Sequence, residues 1–337
     1  MNVFLFDRPQ YDALYNCSGV DLTKVGKPNV LLGVTYMSVG IVLELLYIPC
    51  MRVLWSPPLR QNSCHKVMFL LGFFDMGTLL MNSIIAGYLT IEGAVFCTHP
   101  NFIYVVGCFA LGFWCATCAI SVVLGLNRLI DMWFPDLMVA LFKGNRTYLW
   151  CCIPFVYGMM FTLLTKPLIY SANAYAFFFD PFYGIDVPDL VHHVRDNFYH
   201  SCHNTATIIA TLFIYIALTF SVWWKCRKSH IQTQTVSIVQ KQIITQACMI
   251  CFFNLCAAFL YVYMQYMNTP QWLIVLGQVT WIGCHGGAVI VYLCLNKTIR
   301  GEVRAMICRK SAYKQNTVFV TTAITQSVTP ARMNYEA

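Results

Sequence analysis

Seven stretches of the chain are almost entirely apolar over about 20 residues or more, and short polar segments separate them. An α-helix rises about 1.5 Å per residue, so each stretch is long enough to cross about 30 Å of hydrocarbon. The pattern predicts an all-α, integral membrane bundle of seven helices over residues 30–295. The predicted spans are residues 30–51, 67–91, 102–126, 148–170, 205–224, 243–267 and 272–295.

The segments on either side of the bundle have a different pattern. Residues 1–29 are polar and aromatic and form the predicted extracellular N-terminus. In residues 296–310, Ile299, Val303 and Ile307 fall on one side of a helix, which predicts an amphipathic helix lying on the inner leaflet. Cys308 at its end is a candidate palmitoylation site. Residues 311–337 are expected to form a disordered cytosolic tail.

Composition supports a membrane protein. Of the 337 residues, 58% are hydrophobic and 11% are charged, whereas soluble domains carry about 25% charged residues. The first 28 residues lack a basic start followed by an apolar run, so we expect the first span itself to serve as the targeting signal.

The distribution of basic residues predicts the orientation. Seventeen of the 22 lysines and arginines lie on the side that also contains the C-terminus, four lie on the opposite side, and Lys166 lies near the outer end of the fourth span. This bias predicts an external N-terminus and a cytosolic C-terminus. The positive charge would meet anionic lipid, which argues against nucleic-acid binding. Asn16, in the external sequon Asn-Cys-Ser, is a candidate glycosylation site.

Most of the 17 cysteines lie within spans, where a free thiol behaves as a small apolar group. Cys17, Cys97 and Cys202 fall on the predicted external side, where disulfides form. A Cys97–Cys202 bond would pin the long loop of residues 171–201, and it is the expected pair. Pairing of Cys17 with either cysteine remains the alternative.

Four polar residues lie at a similar depth in four spans. Glu44, Asp75, Asn254 and His285 are about 7–11 residues from the predicted cytosolic ends, or about 10–17 Å. Polar groups in hydrocarbon need partners, so we expect these four to form a shared polar core. The core is either a switch or a static hydrogen-bonded ring.

The loop between the fourth and fifth spans has two unusual segments. Six aromatic residues occur in "NAYAFFFDPFYG" (residues 173–184), which predicts either a lid over the bundle or an interfacial belt. The segment "VHHVRDNFYHSCH" contains His192, His193, His200 and His203. Their spacing fits no metal-ligand rule, so we expect a solvated polar loop and neither a metal nor a cofactor.

Several motifs resemble those of the nematode serpentine receptor class T family, a chemoreceptor family similar to G-protein-coupled receptors. They are "YNCSG", "FCTHP", "LNRL" at the end of the third span, "FFNLCAAFLYVYMQ" in the sixth and "GQVTWIGCHGGAVIVYLCLNKTIRGEVR" from the seventh onward. The resemblance extends from about Tyr15 to Cys308. It implies a plasma-membrane receptor of sensory cells that binds an external small molecule and couples to a heterotrimeric G protein.

The resemblance also implies roles for single residues. Arg128 resembles the arginine that ends helix 3 of rhodopsin-like receptors and switches G-protein coupling, although Asn127 replaces the usual acid. A snorkelling interfacial arginine is the alternative. Tyr292 matches the tyrosine of the Asn-Pro-x-x-Tyr motif, which lacks its proline here. Gly286 and Gly287 would supply either backbone flexibility or close packing. Asp75 resembles the helix-2 aspartate, which implies a core able to bind an ion.

A ligand cavity is expected in the outer half of the third, fifth, sixth and seventh spans, and its aromatic character suits a small, mostly apolar ligand. Its candidate lining residues are Trp114, Thr117, Tyr261, Gln265, Gln278 and Trp281.

Two other function classes are considered. Of the eight histidines only His285 lies well inside a predicted span, so no multi-histidine catalytic metal site is expected and the chain is not predicted to be an enzyme. A transporter or channel subunit without G-protein coupling is the alternative function. Transporters usually contain internal repeats, and none is evident.

Overall fold

The computed structural model describes residues 1–22, 25–185, 197–228, 249, 252–264 and 266–308. The predicted tail, Gln265, His192 and His193 lie outside these residues. In chain order the described helices and strands are α1 (Asn2–Phe6), α2 (Arg8–Leu14), α3 (Val30–Leu54), α4 (Pro57–Arg60), α5 (Ser63–Leu79), a π-helical segment (Leu80–Ile85), α6 (Ala86–Glu92), a 3-10 turn (Phe96–Thr98), α7 (Pro100–Trp133), α8 (Pro135–Phe142), α9 (Arg146–Leu164), β1 (Ile169–Ser171), β2 (Ala176–Phe178), α10 (Phe198–Lys228), α11 (Phe252–Met264), α12 (Gln271–Leu295) and α13 (Lys297–Ile307).

Within the described residues, six helices are long and apolar enough to cross a membrane, and α11 is a shorter apolar helix in the sixth position. The second of the six is the continuous helix Ser63–Glu92, formed by α5, the π-helical segment and α6. The predicted all-α seven-helix bundle is therefore confirmed. We call the end of the bundle with α1 and α2 the N-terminal face, and the end with α13 the C-terminal face.

Two helices begin or end at residues other than the predicted span limits, because a capping residue or a proline sets the end of the helix. Helix α10 begins at Phe198, seven residues before the predicted span, because Asn197 caps it and accepts the backbone N–H of His200 at 3.1 Å. Helix α9 ends at Leu164 instead of residue 170. Pro167 disfavours helical backbone at the residue before it, and the apolar residues beyond it form β1.

Close helix packing relies on small residues. A Cβ atom on Gly33 of α3 would lie 2.6 Å from the carbonyl oxygen of Gly87 in α6, so a larger side chain would separate the two helices. In α12, a Cβ on Gly286 would lie 2.3 Å from Leu43 of α3. Because α12 is unbroken through this position, the structure supports the close-packing interpretation of Gly286.

The amphipathic segment after α12 forms α13, but its apolar face is directed differently from the prediction. Ile299 and Val303 are buried against the bundle, whereas 69% of Ile307 is exposed. Asn296 caps the helix and accepts the backbone N–H groups of Thr298 and Ile299, each at 3.1 Å. The helix therefore buries two of its three apolar positions in the protein core rather than offering all of them to lipid.

Candidate functional site

A buried hydrogen-bonded pair joins α5 and α12 at mid-depth. Nδ1 of His285 lies 2.7 Å from Oδ1 of Asp75, and both side chains are almost fully buried. The indole N–H of Trp281 donates to Nε2 of His285 at 3.0 Å. An indole can only donate, so Nε2 is an acceptor, and Nδ1 carries the proton that it donates to the carboxylate. We call Asp75 and His285 the core pair.

Tyr47 of α3 completes the core pair, although sequence reasoning did not identify it. Its hydroxyl lies 3.0 Å from Oδ2 of Asp75 and 2.7 Å from the backbone oxygen of His285. Every polar side-chain atom of the pair therefore has a partner. Tyr47 lies one helical turn from Glu44, and this spacing is the one feature of the sequence that could have suggested Tyr47 as a member of the polar core.

The expected four-residue polar core does not form. Asn254 belongs to a neighbouring cluster, in which its amide nitrogen donates to Ser121 at 3.4 Å and its oxygen accepts from the Cys284 thiol. Glu44 is half-buried, and among the described residues its Oε1 has no hydrogen-bond partner. The four residues share a depth, but their helices direct only Asp75 and His285 toward each other.

An aromatic cluster lies between the core pair and the N-terminal face. We define it as Trp114, Phe177, Tyr261 and Trp281, from α7, β2, α11 and α12. The ring of Trp281 meets the other three edge-to-face, at centroid distances of 6.3 Å (Trp114), 5.5 Å (Tyr261) and 5.7 Å (Phe177). Such contacts favour a fixed ring orientation. Through its bond to His285, Trp281 connects this cluster to the core pair.

Gln278 links the aromatic cluster to the π-helical segment. Its Oε1 accepts from the Tyr261 hydroxyl at 3.1 Å, and its Nε2 donates to the backbone oxygen of Asn82 at 2.6 Å. Asn82 and Gln278 are both fully buried. We call these two residues the amide pair. π-Helical turns within α-helices frequently occur at functional sites.

The expected ligand-cavity residues mostly come together. Trp114, Tyr261, Gln278 and Trp281 belong to one contact network. Thr117 is buried one turn from Trp114 toward the C-terminal face, and its hydroxyl has no partner within the described part of the chain.

The prediction of a solvated histidine loop is wrong for His200 and His203. Both lie in the first turns of α10 and are more than nine-tenths buried. Nδ1 of His203 lies 2.9 Å from the Tyr157 hydroxyl, and Nε2 of His200 lies 3.2 Å from the amide nitrogen of Asn204. Asn204 also accepts the indole N–H of Trp114 at 3.0 Å, so these histidines extend the network around the aromatic cluster.

The aromatic loop forms a lid, defined as the hairpin of β1 and β2. Its strands pair with Tyr170 opposite Phe177. The backbone N–H of Ala172 donates to Ala94 at 2.9 Å, and the hydroxyl of Tyr170 lies 2.5 Å from that of Thr90. Phe177 is fully buried and covers Trp281. Of the two interpretations of this loop, the structure agrees with the lid.

The expected Cys97–Cys202 disulfide is wrong: Cys97 bonds to Cys17, and Cys202 is free and exposed. The N-terminal segment explains the choice of partner. Tyr15 packs edge-to-face on Tyr104 of α7 at 5.1 Å, which brings the following residues beside the 3-10 turn that contains Cys97. Burial also raises the pKa of nearby Tyr11 to about 12.

Near the C-terminal face, α7 presents the expected switch residues. Asn127 is buried, and its amide nitrogen donates to Ser63 of α5 at 3.1 Å. The Arg128 guanidinium lies beside the buried thiol of Cys64. The buried hydroxyl of Tyr292 lies within electrostatic range of Arg128, and it has no hydrogen-bond partner among the described residues. These contacts place Arg128 and Tyr292 in one polar region below the core pair.

Comparison with known proteins decides the family. The sequence matches the family described as "Serpentine type 7TM GPCR chemoreceptor Srt" over residues 1–316. The chain belongs to this family. Serpentine receptor class T-55 of Caenorhabditis elegans is 24% identical over 310 residues, which are 90% of this chain and 83% of that protein.

Family membership confirms a multi-pass membrane protein of the serpentine receptor class. Two modification sites of this Srt chain stay predictions. Asn16 is exposed, and its Oδ1 accepts the backbone N–H of Ser18 at 2.9 Å. Cys308 is exposed at the end of α13. Within the described residues, no three histidine, cysteine or acidic side chains are grouped as metal ligands.

Proposed function

We propose that this Srt protein is a receptor in which an external small molecule binds at the aromatic cluster and a heterotrimeric G protein binds at the C-terminal face. The charge bias supports this orientation, because the basic residues lie mainly on the side of α13. A plasma-membrane location, in sensory cells, follows from the same proposal.

The contacts of Trp281 carry the proposal. One side chain contacts the lid, α7 and α11 and also donates to His285 of the core pair. A ligand that displaces the Trp281 ring changes the hydrogen bond to His285 directly. The change then reaches Asp75 on α5, the helix that also supplies Ser63 and Cys64 to Asn127 and Arg128.

Arg128 is the proposed coupling residue at the C-terminal face. It lies at the end of the buried part of α7 and is only partly exposed, so the opening of the bundle would make its guanidinium available to a G protein. A ligand stabilises that open arrangement only by its differential affinity for the two states. Coupling of about 5- to 150-fold is typical for such two-site systems.

The test expresses the receptor with a promiscuous G-protein reporter and a panel of volatile and water-soluble small molecules. We expect a ligand-evoked response in the wild type and its loss in Arg128→Ala at equal surface expression. A response of Arg128→Ala as strong as wild type overturns the role of Arg128. Ligand-evoked solute flux without any G-protein response overturns the proposed function in favour of a transporter or channel.

A further inference from the structure

Asn82 is the most unusual buried polar residue of the bundle. Its side chain has no solvent exposure, and neither its amide nitrogen nor its amide oxygen has a hydrogen-bond partner within the described part of the chain. Buried polar groups almost always have partners, because an unpaired one costs free energy. Asn82 therefore calls for an explanation that local packing does not supply.

The position of Asn82 places it beside the aromatic cluster. It lies seven residues from Asp75 along the α5–α6 helix, and Gln278 lies seven residues from His285 along the antiparallel α12. Seven residues are about two helical turns, so Asn82 and Gln278 lie at one level of the bundle. The amide pair therefore repeats the α5–α12 contact two turns nearer the N-terminal face, and the Gln278–Asn82 hydrogen bond of 2.6 Å confirms this neighbourhood.

The surroundings indicate the charge of the ligand. Gln278 bonds to the Tyr261 hydroxyl and to the Asn82 backbone oxygen. The Trp281 ring packs against Tyr261 and Phe177, so these contacts at this level are all with uncharged groups. The carboxylate of Asp75 lies two turns away and already accepts from His285 and Tyr47. Glu44 of α3 lies at the level of Asp75, so it too is distant from the amide pair. Among the described residues, a charged ligand would thus have no free counter-ion directly at Asn82.

We propose that Asn82 is the polar anchor of the ligand site, and that it binds an uncharged small molecule with a hydrogen-bond donor next to an acceptor. A primary amide, a lactam or a nucleobase edge has this arrangement, and a carboxamide side chain pairs with it through both of its atoms. The apolar remainder of the ligand contacts the aromatic cluster. This inference rests on the proposed receptor function, because it assigns the chemistry of that receptor's ligand.

The first experiment measures thermal unfolding of the detergent-purified receptor without ligand. Asn82→Leu keeps the γ-branched shape in a larger side chain and removes both unpartnered polar atoms, so we expect an unfolding temperature no lower than that of wild type. Ser83→Ala is the matched control, because the Ser83 hydroxyl donates to Tyr36 of α3 at 2.6 Å and its loss lowers the temperature. If Asn82→Leu and Asn82→Ala both destabilise the receptor or fail to fold, Asn82 is structural and the proposal fails.

The second experiment uses matched pairs of probes at millimolar concentration. We expect 2-pyridone or benzamide to raise the unfolding temperature of the wild type and of Ser83→Ala, but not of Asn82→Leu. N-methyl-2-pyridone and N,N-dimethylbenzamide lack the donor and should have no effect. The proposal is overturned if neither parent probe shifts the wild type, or if Asn82→Leu responds equally.

Phenethylamine tests the competing cationic ligand. If it stabilises the wild type and Glu44→Gln abolishes that shift, the anchor is Glu44 and the proposal for Asn82 is wrong. The unfolding assay reports binding without a G protein. Binding of a probe through Asn82 therefore tests this inference alone, whereas the reporter assay with the small-molecule panel tests the proposed function, so the failure of one is distinguishable from the failure of the other.

Discussion

The core pair and the amide pair connect the same two helices two turns apart, and all four residues are buried. The two pairs differ in their hydrogen bonds. Asp75 and His285 have partners for every polar side-chain atom, whereas neither side-chain atom of Asn82 has a partner among the described residues. An unpaired buried polar group costs about 1–3 kcal/mol. The core pair is thus complete within the protein, whereas on our proposal a bound ligand completes the amide pair.

The largest loss of stability is expected when the core pair is broken. His285→Ala leaves the Asp75 carboxylate buried without its main donor, which typically costs about 3–5 kcal/mol. We expect a large loss of surface expression and a lower unfolding temperature. Asp75→Asn is the milder control, expected to reach the surface and to change signalling. If His285→Ala unfolds at the same temperature as Asn82→Leu, the two pairs do not differ in their contribution to stability. If Asp75→Asn signals normally, the core pair is a static hydrogen-bonded element and not a switch.

The second largest effect is expected on loss of the Cys17–Cys97 disulfide at the N-terminal face. The Cys17–Cys97 bond closes a separation of 80 residues and holds the N-terminal segment against α7. Its removal by Cys17→Ser should cost about 2–4 kcal/mol. Hydrogen exchange should increase at the N-terminal face and the lid and change little around the core pair. Cys202→Ser is the control with no expected effect; a comparable loss there would restore the Cys97–Cys202 pairing.

The third effect is confined to the amide pair. Gln278→Leu removes the partner of the Tyr261 hydroxyl and of the Asn82 backbone oxygen, and we expect a loss of about 1–3 kcal/mol. Tyr261→Phe removes one hydrogen bond and keeps the ring against Trp281, so its cost should be about 1 kcal/mol. Thermal unfolding measures both variants. Equal costs would indicate that the bond from Gln278 to the π-helical segment contributes nothing.

The prediction of the site from sequence was partial, for a physical reason. Depth along a helix follows from residue number, so Asp75 and His285 were expected at one level. Which way a side chain points depends on the rotation of its helix, and this rotation excluded Glu44 and directed Asn254 to Ser121. Tyr47 and Asn82 carried no signal as single residues. The π-helical turn containing Asn82 also arises from packing that a linear pattern does not contain.

The class of this protein, its seven spans, their approximate limits and its family motifs could all be predicted from the order of its residues. These depend on hydrophobic length, charge and local residue type, each of which can be read along one dimension. Three findings follow only from how the chain packs: Cys97 bonds to Cys17, His200 and His203 are buried, and the Asn82 side chain has no partner among the described residues. Each of these depends on contacts between segments that are distant in sequence. A linear pattern does not show which of several chemically equivalent groups will meet, or which will be buried.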